Sequence, residues 1–308
     1  MKKFIGSVLT TTLILGGCSA MENESNKDTN TETKSVPEEM EASKYVGQGF
    51  QPPAEKDAIE FAKKHKDKIA KRGEQFFMDN FGLKVKATNV VGSGDGVEVF
   101  VHCDDHDIVF NASIPFDKSI IDSNSSLRSE DKGDDMSTLV GTVLSGFEYR
   151  TQKEKYDNLY KFFKDNEEKY QYTGFTKEAI NKTQNSGYEN EYFYISTIPY
   201  NLTEYRNYFE PLLNKSNSEF SKEMSNVKKQ LKDKSKVSVT TTLFSKNKNY
   251  TKKSNSENVI KMAEEIKKEK DLPTDIDFSI QFSDNKINTI KPNYNGESTS
   301  EYGVFDQE

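Results

Sequence analysis

Between Lys84 and Ile114 the chain carries three short apolar runs separated by two turn clusters, and this stretch most limits what it can fold into. Lys84-Val-Lys-Ala-Thr-Asn-Val-Val91 alternates, Gly92-Ser-Gly-Asp-Gly96 reverses the chain, and Val97-Glu-Val-Phe-Val101 returns. A second turn at Asp104-Asp105 leads into Ile108-Val-Phe-Asn-Ala-Ser-Ile114. Alternation with short Gly- and Asp-rich connections is the pattern of an antiparallel meander. A parallel sheet needs a crossover of a dozen or more residues between strands, and no room for one exists here. Before the meander, Ala54 to Asn80 reads as a helix. Pro53 suits its start, Glu55 and Asp57 suit its first turn, and Gly82 stops it. Ala58, Phe61, Ala62, His65, Ile69, Phe76 and Phe77 fall along one face. The fold class expected is α+β, with antiparallel sheet packed by helices.

A polar loop over Asp122–Asp135 and a helix through Leu139, Val143 and Phe147 follow, the helix weakened by Gly141 and Gly146. The second half is expected to be richer in helix: Lys153–Tyr170, Thr176–Thr183, a helix capped by Thr203 and running to Leu213, Ser218–Lys232 and Glu257–Lys270. Strands are expected at Glu191–Ile198, Val237–Phe244 and Ile276–Phe282, and a loose tail from Asn293 to Glu308. Asn111-Ala-Ser-Ile-Pro-Phe-Asp117 has a short echo in Ile195-Ser-Thr-Ile-Pro-Tyr-Asn201. A soft boundary near Arg150 separates 45–150 from 151–308.

Whether such a chain has a core is a question of side-chain size. Mean hydropathy is −0.84, and 33% of residues are hydrophobic against 30% charged. That is a lean apolar share. The 20 Phe and 15 Tyr offset it, because each large ring buries ~150–250 Å². The formal charge of −7 becomes −9 if Lys2 and Lys3 are removed with a leader. An anion of that size repels phosphate backbones, and no dense basic stripe appears, so nucleic acid is not an expected partner.

Residues 1–17 have the form of a lipoprotein signal. Lys2 and Lys3 precede an apolar stretch from Phe4 to Leu15, and Gly16-Gly17 stand before Cys18. The stretch is far shorter than the ~20 residues that span a bilayer. Small residues let a peptidase reach the bond after Gly17, and the Cys18 thiol forms a thioether with a diacylglyceryl group before its amine is acylated. Acyl chains at ~0.8 kcal/mol per buried CH₂ make such an anchor effectively permanent. The expected partner is therefore the membrane, on its outer face. From 18 to 44 the sequence is almost wholly polar and reads as a tether, which as a coil spans roughly 25–30 Å. Cys103, the other cysteine, is left without an intrachain partner.

His102-Cys103-Asp104-Asp105-His106-Asp107 is the one dense group of metal-ligating types. His102, Asp105 and His106 are its candidates for a borderline metal such as zinc. Neighbouring strand residues point to opposite faces, so a single hairpin seldom completes a ligand set. The plainer reading is an acidic turn with solvated histidines and a half-buried Cys103. Gly92–Gly96 lacks the Lys-Ser/Thr ending and the helix of a phosphate loop. Asp122-Ser-Asn-Ser-Ser126 reads as loop, His65 as a packed side chain, and the aromatics at 156–172 and 188–209 as core before platform. No catalytic set and no cofactor are expected.

The lipobox, Tyr45-Val-Gly-Gln-Gly-Phe50 and Glu191-Tyr-Phe-Tyr-Ile-Ser-Thr-Ile-Pro-Tyr200 together resemble a family of staphylococcal lipoproteins carried as a domain of unknown function. The resemblance implies lipid attachment at Cys18 and an outward-facing domain, and it supplies no activity. The reading favoured is a lipid-anchored binding module for a protein, peptide or glycan. The alternative is an envelope enzyme using metal at His102 and His106.

Overall fold

The computed structural model describes residues 36–130, 133–231, 237–292 and 299–304. The signal, Cys18 and the tether up to residue 35 lie outside these residues, as do 293–298 and 305–308 of the expected tail. Structure begins earlier than Tyr45. β1 (Glu39–Met40) and a 3-10 turn (Ala42–Lys44) precede it, and Ala42 and Tyr45 are both fully buried.

The first helix is two. α1 (Lys56–Lys64) and α2 (Lys66–Phe81) meet at His65, whose φ of −111° and ψ of 19° leave the helical region. Its ring packs on Phe61 at 4.4 Å between centroids. Gly82, at φ +65°, ends α2 by donating its N–H to the Met78 carbonyl, a left-handed cap that glycine takes without strain. The buried face, with Ala58, Ala62, Ile69, Phe76 and Phe77, is the one its periodicity marks.

β2 (Val85–Ser93), β3 (Gly96–Asp105) and β4 (Ile108–Phe116) form the antiparallel meander in the order β2-β3-β4. Its second turn falls two residues later than expected. Asp104 and Asp105 belong to β3, and His106 and Asp107 turn the chain at φ 55° and 60°. α3 (Ser137–Thr151) lies against β4. Of the two glycines that weaken its propensity, Gly146 permits that approach: a Cβ there would stand 2.8 Å from the Val109 carbonyl oxygen.

α4 (Lys153–Tyr170) has the expected limits, followed by β5 (Tyr172–Thr173), α5 (Lys177–Thr183) capped by Thr176, and a shortened β6 (Phe193–Ser196). The next segment departs from its pattern. Asn201, not Thr203, is the cap, in a reciprocal box with Glu204. One α turn, α6 (Leu202–Glu204), widens into a π-helix (Tyr205–Phe209) and tightens into a 3-10 turn (Glu210–Leu212). Pro211 lacks the N–H that an unbroken helix needs there, and the wide turn places Tyr205 and Phe209 in the core.

After α7 (Asn217–Gln230), one expected strand is split into β7 (Val237–Thr241) and β8 (Leu243–Ser245), and at the break the Thr241 hydroxyl accepts from the Gln281 N–H at 2.9 Å and donates to its carbonyl at 3.0 Å. α8 (Lys252–Ile266) crosses over to β9 (Ile276–Ser283), which β10 (Ile287–Asn288) follows. Within the expected loose tail lies β11 (Ser300–Gly303), paired antiparallel with β9. β7 and β8 run parallel to β9, while β6 and β5 pair antiparallel with β7 and β8. This second sheet is therefore mixed. β1 and β10 form a separate ribbon.

Two main cores result. One joins α2, the meander and α3 to Leu202–Val227, from beyond the Arg150 boundary; the other joins α4, β6, β7, α8 and β9. A small third core holds Ala42, Tyr45, Phe175, Ile180, Phe244 and Ile287. Among the described residues no helix is long and apolar enough to cross a membrane.

Candidate functional site

The β3–β4 hairpin disperses the histidine and aspartate side chains. Asn111, 1% exposed, donates from Nδ2 to the Asn181 Oδ1 at 3.2 Å, so its own Oδ1 faces His102 Nδ1 at 2.7 Å. An amide oxygen only accepts, so the imidazole carries its proton on Nδ1. His106 sits at the turn, with Nε2 3.8 Å from Asp105 Oδ1, while Asp105 Oδ2 accepts from the Lys84 N–H at 2.8 Å. Asp107 pairs with Lys153 at 3.3 Å, and that bond holds its carboxyl below the usual range. Cys103 is buried on the other face, and burial pushes its thiol up to about 12. Among the described residues no three His, Cys, Asp or Glu side chains are placed to hold a metal ion.

The other sequence candidates are structural. Gly92–Gly96 turns the meander, and a Cβ at Gly92 would meet the Ile59 backbone at 2.7 Å. Asp122 pairs with Lys68. The aromatics read as core do pack in the core: Tyr149 stacks on Tyr188 at 4.1 Å, and Tyr156, Phe163, Tyr172 and Phe193 are buried beside them.

A concavity of about 940 Å³ lies elsewhere, where β1 and its following turn meet the loop after β8 and the β9–β10 turn. Tyr250 forms one wall. Its ring lies nearly parallel to Phe282 (10°), and its hydroxyl donates to the Phe282 carbonyl at 3.0 Å, which fixes the side chain. Opposite charges offset one another along the rim: Lys246 bonds Glu168 at 2.7 Å and Glu167 at 3.2 Å, and Lys286 reaches Glu39 at 3.5 Å. Asn247, Lys248 and Ser43 add hydrogen-bonding groups. The arrangement suits a polar ligand of low net charge with a flat face for the ring.

A second groove, about 700 Å³, brings together the two Ile-Pro sequences. Pro115 and Pro199 both line it, and Asp117 and Asn201 each cap the turn that follows. The echo thus marks two strand ends meeting beside α3. No local pattern points to the larger groove, whose walls come from opposite ends of the chain.

Comparison with curated proteins gives no match. The chain is similar to a crystal structure of a DUF1672 family protein from Staphylococcus aureus subsp. aureus Mu50, at 69% identity and a TM-score of 0.87, over 89% of this chain and 100% of that one. The family model described as "Protein of unknown function (DUF1672)" matches residues 32–308. By both measures the chain belongs to the DUF1672 family.

Proposed function

We propose that the protein is a lipid-anchored, extracytoplasmic component of the bacterial envelope that binds a ligand in the groove beside Tyr250. The observation that carries the anchor is Leu15-Gly16-Gly17-Cys18 behind a short apolar stretch and two lysines. The groove supports the binding half, because its ring is fixed and its charged groups are offset before any ligand arrives. Replacing Cys18 with Ala should abolish incorporation of a fatty-acid probe in cells; equal labelling of both chains refutes the anchor. Peptide and glycan fragments that raise the melting temperature should lose that effect in Tyr250→Ala. A thermal shift that survives the substitution puts binding elsewhere.

A further inference from the structure

We infer that the β1–β10 ribbon, with the turn Tyr45–Phe50, is the face that rests on the lipid surface; this goes beyond the anchor at Cys18 and depends on it. Seven large apolar side chains are exposed among the described residues. Met78, Ile260 and Tyr302 stand on α2, α8 and β11, and Ile198 in the loop after β6, as single exposed apolar residues normally do. The other three border one turn: Val36 (42% exposed), Val46 (38%) and Ile290 (46%).

The ribbon's register explains why they meet. Glu39 pairs with Asn288 and Met40 with Ile287. The Thr289 N–H continues the ladder to the Glu38 carbonyl at 2.9 Å, and its hydroxyl donates to the Pro37 carbonyl at 2.8 Å. That carries Ile290 alongside the Val36–Pro37 end. Val36 packs on Gly49, where an added Cβ would lie 2.9 Å from its Cγ1, and Val46 opens the same turn. Gly47 and Gly49 hold φ of +87° and +81°, a shape open to glycine with little strain.

The turn is fixed from beneath. Tyr45, fully buried, donates its hydroxyl to the Thr289 carbonyl at 2.9 Å, and the Thr176 hydroxyl donates to the Tyr45 carbonyl. The aliphatic tips therefore project from a preformed surface. Charges of both signs lie around them: Lys182, whose Nζ donates to the Val46 carbonyl at 3.1 Å, exposed Lys291, and Lys44 paired with Glu41 at 2.7 Å, beside Glu38 and Glu39.

The lipid surface is the chosen occupant because of where the chain enters. Val36, itself one of the three, lies 18 positions after Cys18, and a chain of that length reaches at most roughly 65 Å in any conformation. Tethering at that length supplies an effective concentration near millimolar, so a small apolar contact suffices. A free partner protein would have no such help.

The sequence contains no Trp, so one introduced indole reports from a single place. The full lipidated chain would be reconstituted into vesicles of phosphatidylglycerol and brominated phosphatidylcholine, carrying Val46→Trp, Ile290→Trp, Met78→Trp or Ile260→Trp in turn. Emission at positions 46 and 290 should shift to the blue and be quenched about twofold, with positions 78 and 260 unaffected. Equal quenching at all four positions, or none at any, overturns the proposal. Flotation separates the two readings. A chain that floats only with Cys18 intact but shows no selective quenching is anchored without docking. A chain that never floats removes the anchor and the docking with it.

Discussion

Glu189 is held in surroundings that oppose its charge. No hydrogen bond or ion pair reaches its carboxylate among the described residues, and burial raises its pKa from an ordinary 4.5 to about 8. Between those values the folded chain keeps a proton that the unfolded chain releases, so stability falls as pH rises across that window. Glu189→Gln removes the titration with little change of shape. At pH 9 the variant should be more stable than the parent by about 1–2 kcal/mol, a figure held down because the side chain still meets solvent. At pH 5, below most of the window, the two chains should be nearly alike. Urea unfolding at both pH values measures this, and parallel pH dependence of the two chains rules it out. The arginines show a different solution to the same cost. Arg150, 7% exposed, lies 4.1 Å over the Phe220 ring and donates to the carbonyls of Leu213 and Lys215. Carbonyl acceptors and a ring face thus stabilise a buried cation without a direct carboxylate bond.

At the scale of elements, local chemistry and tertiary contact divide the work. The meander was legible because period-two alternation and turn residues coincide, and α4 because its stripe is uninterrupted. The split at Thr242 and the π-helix at Tyr205–Phe209 were not, since each depends on a partner from elsewhere. At the split the Thr241 hydroxyl bonds the Gln281 backbone, and Tyr205 reaches the Phe81 carbonyl at 2.8 Å. β11 was hidden because four residues, two of them Ser300 and Gly303, carry little strand signal without β9 beside them. The cap of α6 offers a clean test. The Asn201 side chain accepts from the Glu204 N–H at 2.8 Å, and Glu204 returns a bond to the Asn201 N–H at 3.1 Å. Asn201→Ala should cost about 1 kcal/mol, whereas Thr203→Ala, at an exposed position, should cost only a few tenths. Equal losses in chemical denaturation would remove the cap from Asn201.

Near the start of the described residues β1 pairs with β10, about 250 positions later, and this is why the larger groove had no signature in the sequence. Met40 and Lys286 line one wall together although 246 positions separate them. Only the Ile-Pro echo betrayed a groove, because there the sequence repeats where the strand ends meet. The same pairing moves the start of the folded region. Composition places it at Tyr45, since Val36–Lys44 is polar on average, but three particular contacts hold that stretch. Met40 pairs with Ile287, the Ala42 N–H donates to the Asn285 side chain at 2.9 Å, and Ala42 is fully buried in the third core. A chain that begins at Tyr45 forfeits all three and leaves Ile287 uncovered. Burial of those apolar groups and the lost hydrogen bonds together amount to about 2–4 kcal/mol. A chain beginning at Val36 should therefore melt at a clearly higher temperature than one beginning at Tyr45, by several degrees. Protease should also spare the bonds from Glu39 to Tyr45 in the intact protein. Indistinguishable melting of the two shortened chains, or early cleavage within that stretch, would show that the ribbon adds nothing to the fold and would return the boundary to Tyr45.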